Sequence, residues 1–154
     1  MITCRRKLLF LLWWAAALGW AGLIFWLSTP SFGPHWSGRL LALGLRLVHL
    51  RLSPQAFELL NVMLRKLAHV TEYGIFALLL YTRAGSDEQR LWRPRHAALC
   101  IAAAFAYSLS DELHQRFAPG RHASIFDCGI DSLGASIAML APYLNSKPWR
   151  GVKG

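Results

Sequence analysis

Long apolar runs separated by short polar segments dominate the sequence. The first run, residues 8–27, carries no charged residue and is long enough for a helix to cross the roughly 30 Å hydrocarbon core of a membrane. Three later runs of similar length cover residues 59–82, 97–117 and 125–144. The pattern predicts an all-α fold, a polytopic membrane helical bundle with about four transmembrane helices.

Another leucine-rich segment, residues 36–52, is interrupted by basic side chains. These are Arg39, Arg46, His49 and Arg51. Basic groups are costly at the centre of a bilayer, so the segment is predicted to be an interfacial helix that lies on the membrane surface. Ser53 and Pro54 follow it and are typical of the N-cap and first position of a new helix.

Composition agrees with a small membrane protein formed as a single domain over residues 1–154. Hydrophobic residues make up 55% of the chain, and the formal net charge is +9. The 17 Lys and Arg residues lie at the edges of the apolar runs and not on a basic face with interleaved aromatics, so nucleic acid is not indicated as a partner. The three cysteines have no CxxC spacing, and neither a disulfide framework nor a zinc site is indicated.

The basic residues also predict the orientation of the helices. Ten of them fall on the side that holds both termini and seven on the other side. Because cytoplasmic loops carry the excess of Lys and Arg, we expect both termini in the cytoplasm.

The strongly polar residues within the predicted helices gather at one end of the bundle, which this orientation turns outward. Lys66, His69 and Tyr73 follow i, i+3, i+7 spacing and share one helix face, with Glu72 beside them. The end of the third predicted helix and the start of the fourth reach the same side. The third helix carries a stripe of Ser108, Asp111, Glu112 and Gln115, and the fourth carries the stacked pair Asp127 and Asp131, with Arg121 on the loop between them. Gly134 and Ala138 continue this last stripe and allow close helix approach.

Several chemistries fit this group of residues. Paired carboxylates with His69 could bind a divalent cation, or could supply an acid and a base. Lys66 and Arg121 could hold a phosphate. A buried network that only fixes the rotation of three helices is the structural alternative, since breaking such a network is costly.

These residues also carry a resemblance to a known family. The motifs are Lys66-x-x-His69-x-x-x-Tyr73, then Asp111-Glu112-x-x-Gln115-x-Phe117-x-Pro119-Gly120-Arg121, then Asp127, Asp131 and Gly134. They resemble the VanZ-like family, named for the accessory teicoplanin-resistance protein, over about residues 66–144. The resemblance implies the bacterial inner membrane as the location of the protein. Val70 departs from the pattern, because relatives commonly have an aromatic residue after the histidine.

The resemblance and the stripes lead to two main hypotheses. In the first, the protein binds an envelope lipid, a lipid-linked wall precursor or a lipoglycopeptide and so affects teicoplanin susceptibility. The binding residues would be Lys66, Tyr73, Glu72, Gln115, Arg121, Asp127 and Asp131. In the second, it is a membrane enzyme acting on a phosphate- or sugar-bearing lipid, with Asp111 or Glu112 as base and His69 as acid or metal ligand.

Proton-coupled transport is a third, less favoured hypothesis. Secondary carriers are commonly built from inverted repeats, and four spans leave little room for them. An oligomer would meet that objection and is compatible with the sequence.

Overall fold

A computed structural model of the chain describes residues 2–84, 92–117 and 124–146. In these ranges all regular structure is helical, which confirms the predicted all-α class. The helices are α1 (Ile2–Leu27), α2 (Pro34–Leu47), α3 (Pro54–Ala84), α4 (Pro94–Arg116), α5 (Ile125–Ala138) and α6 (Leu140–Leu144), with a 3-10 turn at Pro30–Phe32.

Two stretches of the described chain are long and apolar enough to cross a membrane. They are Lys7–Leu27 in α1 and Ile125–Leu144, which combines α5 and α6. Helices α3 and α4 have 31 and 23 residues and are long enough, but they carry most of the polar residues of the predicted stripes. The expected number of four spans therefore stays a prediction.

Helix α3 is the centre of the bundle, and its most extensive contacts are with α5. The two helices touch at small residues. A Cβ added to Gly134 would lie 2.8 Å from the Cα of Val70, and one added to Gly74 would lie 3.2 Å from the carbonyl oxygen of Gly134. The close approach predicted for the small residues of the fourth span is thus confirmed, because α3 and α5 are in backbone contact.

Helix α1 is attached to this centre by side chains that bind backbone oxygens. Trp13 Nε1 donates to the carbonyl of Leu79, and Trp20 Nε1 donates to that of Glu72 at 2.9 Å. From α4, the hydroxyl of Tyr107 donates to the carbonyl of Ala21 at 2.6 Å. The first apolar run is therefore fixed against both α3 and α4.

The interfacial segment ends as a helix earlier than residue 52. Helix α2 stops at Leu47 because His49 takes a left-handed conformation with φ 56°. The amide of Leu50 then donates back to the carbonyl of Leu45, a Schellman closure of the helix end. The following helix begins as predicted, since the Ser53 hydroxyl accepts a hydrogen bond from the amide of Ala56.

The last apolar run, residues 125–144, is not one continuous helix. It is interrupted at Met139, between α5 and α6. Pro142 has no amide hydrogen, and its ring excludes a regular helical carbonyl four residues earlier, at Ala138. The interruption leaves the polar stripe in the first part of this run undisturbed, because Asp127 and Asp131 lie within α5.

Candidate functional site

The stripe on α3 faces the stripe on α5, and their charged residues pair. Lys66 Nζ lies 2.6 Å from Asp127 Oδ1, and His69 Nδ1 lies 3.4 Å from Asp131 Oδ1. The residue numbers of the two pairs increase in the same direction along both helices, so α3 and α5 run parallel. Helix α4, which connects them, must run in the opposite direction, and its C-terminal end therefore reaches the same site.

The two pairs differ in their exposure to solvent or lipid. The side chains of Lys66 and Asp127 are 46% and 32% exposed, whereas that of Asp131 is 2% exposed. The outer pair is therefore accessible to a ligand. At 3.4 Å the separation of His69 Nδ1 and Asp131 Oδ1 is longer than a usual N–H···O hydrogen bond, and neither atom has a hydrogen-bond partner among the described residues.

Asp131 is held from its other side by α4. The hydroxyl of Ser108 donates to Asp131 Oδ2, and both side chains are buried. The Asp131 carboxylate therefore lies between a hydroxyl donor and an imidazole. This arrangement fixes the carboxylate and presents it to His69, as an orienting group does for an acid or base.

Asp111, also on α4, is held by α1. Its Oδ2 atom accepts hydrogen bonds from Ser28 Oγ at 2.7 Å and from Gln115 Nε2 at 2.9 Å. Ser28 is the residue that follows α1, and it is 3% exposed. The buried carboxylate thus connects the end of the first apolar run to the polar end of α4.

Glu112, the next residue of α4, contacts the start of α5. Its Oε2 atom accepts a hydrogen bond of 2.7 Å from the amide of Ser124, the residue that precedes α5. The contact ties the end of α4 to the helix that carries Asp127 and Asp131. Glu112 is therefore committed to a backbone contact in this structure.

Six buried polar side-chain atoms of the described residues have no hydrogen-bond partner, and four of them belong to residues of the predicted stripes: His69 Nδ1, Tyr73 Oη, Asp111 Oδ1 and Asp131 Oδ1. The other two are Asn61 Oδ1 and His96 Nδ1. Leaving a buried polar atom unpaired is costly, and such atoms are usually explained by a functional role or a further binding partner. The four atoms come from α3, α4 and α5, the helices whose stripes the sequence analysis combined.

A cavity of about 320 Å³ opens beside the paired residues. Seven of its ten lining residues have polar or charged side chains: Arg65, Lys66, His69, Gln115, Ser124, Asp127 and Asp131. A second cavity of about 310 Å³ lies on the other side of α3, towards α2, and Arg65 and His69 line it too. Each volume is in the range found for small-molecule sites.

Most residues expected at the site are brought together, with some differences in detail. Glu72 lines the second cavity, on the side of α3 away from Asp127, and Tyr73 is buried in the core. Arg121, Pro119 and Gly120 fall outside the described residues. Within the described ranges no three His, Cys, Asp or Glu side chains are grouped to hold a metal ion.

Two residues of the site were not identified from the sequence. Ser28 directly follows the first apolar run, and a serine in that place could have been considered as a buried donor. Arg65 was used only in counting basic residues, yet it lines both cavities. Its position next to Lys66, one residue before the predicted stripe, could have identified Arg65 as a candidate site residue.

Comparison with protein families identifies the family of the chain. A family model described as VanZ/LLP1 matches residues 13–145, a range that begins within α1 and extends through the site to the end of α6. Searches of curated proteins and of solved structures found no match.

Proposed function

The chain belongs to the VanZ/LLP1 family, and from that premise we propose that its polar cavity binds the phosphate-bearing head group of an envelope lipid or lipid-linked wall precursor. The observation that carries the proposal is the cavity beside the Lys66–Asp127 pair. It combines cationic, anionic and amide side chains in a helical bundle whose outer surfaces are apolar. A ligand that reaches it from the membrane is an amphiphile.

The cationic residues give this cavity its preference for phosphate. Arg65 and Lys66 both line it, and hydrogen bonds from cationic side chains to phosphate are among the stronger polar contacts. Lys66 is already paired with Asp127, but both side chains are partly exposed. A phosphate can therefore replace Asp127 as the partner of Lys66 at modest cost.

The proposal includes a place in the envelope. With both termini in the cytoplasm, the cavity would face outward in the inner membrane. There it would hold lipids or wall precursors on the side where lipoglycopeptides act. Sequestering such a lipid would change susceptibility to teicoplanin, which can be measured in cells that express the wild type or a Lys66→Met variant at equal levels.

A direct test measures binding by the purified full-length chain. Dioctanoyl phosphatidic acid is titrated against dioctanoylglycerol, which lacks the phosphate, and bound amphiphile is counted by native mass spectrometry. We expect the phosphate to increase affinity, and Lys66→Met to weaken phosphate binding by roughly 10-fold. Arg46→Gln, on the exposed surface of α2, is the matched control. Equal affinity of the wild type for the two amphiphiles would overturn the proposal.

A membrane enzyme acting on the same class of lipid is the second candidate, and it is favoured by the Ser108–Asp131–His69 arrangement. His69 is 20% exposed at its side chain and lines the cavity, so it can exchange a proton with a bound ligand while Asp131 orients it. In this candidate Asp111 or Glu112 acts as a second acid or base. Glu112 would have to release the Ser124 amide to do so.

Lipid profiles separate the two candidates. Lipids and lipid-linked wall precursors are compared by mass spectrometry in four kinds of cell. One lacks the protein, and the others express the wild type, the Asp111→Asn variant or the His69→Gln variant. A species that changes only with the wild type supports turnover. Identical profiles, together with phosphate-dependent binding by the purified protein, support the binding function alone.

A further inference from the structure

The second cavity differs in character from the first. It lies between the end of α1, the 3-10 turn, α2 and α3. Half of its ten lining residues are apolar, against three of ten in the first cavity; they are Leu27, Phe32, Trp36, Leu40 and Ala68. The polar half comprises Ser28, Ser37, Arg65, His69 and Glu72. Trp36 and Leu40 are also 43% and 54% exposed, so the cavity opens on the side of the amphipathic helix α2. An apolar group can therefore enter it from the membrane along α2.

Arg65 and His69 lie at the junction of the two cavities, since they line both. Arg65 makes no hydrogen bond or ion pair with any other described residue, although it is only partly exposed. A guanidinium in this position offers several donors to an anion in either cavity. The charge thus lies between the polar residues of the first cavity and the apolar residues Leu27, Phe32, Trp36 and Leu40 of the second.

The sequence of polar residues, guanidinium and apolar residues from the first cavity to the second favours one kind of ligand. A free phosphate would use Arg65 and the polar cavity but leave the apolar cavity unfilled. A neutral hydrocarbon would fill the apolar cavity but leave the guanidinium without an anion. Of these ligands, only an amphiphile with a phosphate ester next to a hydrocarbon chain fits the first cavity, the Arg65 guanidinium and the second cavity together.

We propose that the second cavity binds the hydrocarbon chain next to the phosphate of an anionic lipid, and that Arg65 binds this phosphate at the junction of the two cavities. The inference rests on the proposed function, because it assigns a chain subsite to the same ligand. It adds a specificity: the protein recognises both the phosphate and the first part of the chain attached to it.

The experiment varies the charge and the chain separately, again with the full-length protein and native mass spectrometry. The probes are glycerol phosphate, dibutanoyl phosphatidic acid and dioctanoyl phosphatidic acid. For the wild type we expect affinity to rise by at least roughly 10-fold from the dibutanoyl to the dioctanoyl compound, because the burial of about two of the added methylenes already accounts for that factor. Ala68→Phe, which fills the second cavity, should remove this increase and leave the affinity for glycerol phosphate unchanged. The milder Ala68→Leu should remove part of it.

The guanidinium is tested by Arg65→Gln, which should weaken binding of both phosphatidic acids by roughly 10-fold and preserve the gain from chain length. Arg65→Lys should recover part of the affinity. Arg46→Gln and Ala102→Phe, at exposed positions outside both cavities, serve as matched controls and should behave as the wild type.

The outcomes separate the two proposals. In one outcome the wild type prefers phosphatidic acid and Lys66→Met weakens its binding, while Arg65→Gln and Ala68→Phe both bind as the wild type does. This outcome would overturn the chain subsite and leave the proposed function standing. Equal affinity of the wild type for phosphatidic acid and dioctanoylglycerol would overturn both. Loss of the chain-length gain in Ala68→Phe together with weakened binding in Arg65→Gln would support the inference.

Discussion

Gly134 of α5 lies directly against the backbone of Val70 in α3, so that a methyl group at residue 134 would come within 2.8 Å of the Val70 Cα atom. Neither backbone can move aside without shifting a helix. The contact sets the distance between the helices that carry Lys66 and Asp127, and it thereby sets the geometry of the pair.

The first prediction follows from this contact. Gly134→Ala should lower the free energy of unfolding by about 1–3 kcal/mol, because overpacking a close contact forces the helices apart. Gly129→Ala is the matched control on the same helix, since nothing lies within 4 Å of its added Cβ. That control should be neutral or slightly stabilising. Thermal unfolding in detergent measures both, and equal stability of the two variants would contradict the prediction.

The second prediction concerns the hydrogen bond from Ser28 to Asp111. Ser28→Ala leaves a buried carboxylate with one donor fewer and should cost about 1–3 kcal/mol of unfolding free energy. Ser110→Ala, which removes an exposed hydroxyl bound only to its own helix, should cost far less. A double-mutant cycle with Asp111→Ala, which removes the acceptor, should show coupling between residues 28 and 111, and strict additivity would argue against the contact.

The third prediction separates a binding role from a structural one at the outer pair. Lys66→Met should change the free energy of unfolding by no more than about 1 kcal/mol, because Lys66 and Asp127 are partly exposed and such pairs stabilise little. The same variant should clearly weaken binding of phosphatidic acid. A large loss of stability with unchanged binding would instead identify the pair as part of a structural network.

The fourth prediction compares two substitutions of Asp131, which is buried between Ser108 and His69. Asp131→Asn keeps an oxygen that can accept from Ser108, whereas Asp131→Leu leaves the hydroxyl without a partner. We expect Asp131→Leu to be less stable than Asp131→Asn by about 1–3 kcal/mol. Chemical denaturation in detergent gives the comparison. Equal stability would mean that the Ser108 contact contributes nothing.

Local periodicity was enough to find the stripes but not the partners within them. The spacing of Lys66, His69 and Tyr73 depends only on helix geometry, so it could be read from the sequence. The pairing of Lys66 with Asp127 and of His69 with Asp131 depends on how far α3 and α5 are shifted along each other. That shift is determined by the Gly134–Val70 contact between distant parts of the chain.

The differences between the predicted and the observed helices have local causes, and only some of these causes can be recognised in the sequence. The interruption at Met139 could have been inferred, because Pro142 lies within the apolar run. The end of α2 could not, since a histidine at residue 49 gives no glycine-like signal for a left-handed conformation. Ser28 was missed because its partner Asp111 is 83 residues away and comes from another helix.

The attachment of α1 has a consequence for sequence variation. Its anchoring donors are side chains of Trp13, Trp20 and Tyr107, and each of them donates to a main-chain carbonyl. The indole of Trp13 also donates to the hydroxyl of Thr82 at 2.9 Å, which is the one side-chain acceptor among these described contacts. A carbonyl has a second lone pair beyond its helical hydrogen bond, and any amino acid supplies it. Homologous chains can therefore exchange the residues at positions 21, 72 and 79 freely with respect to these bonds, while each donor position admits few replacements.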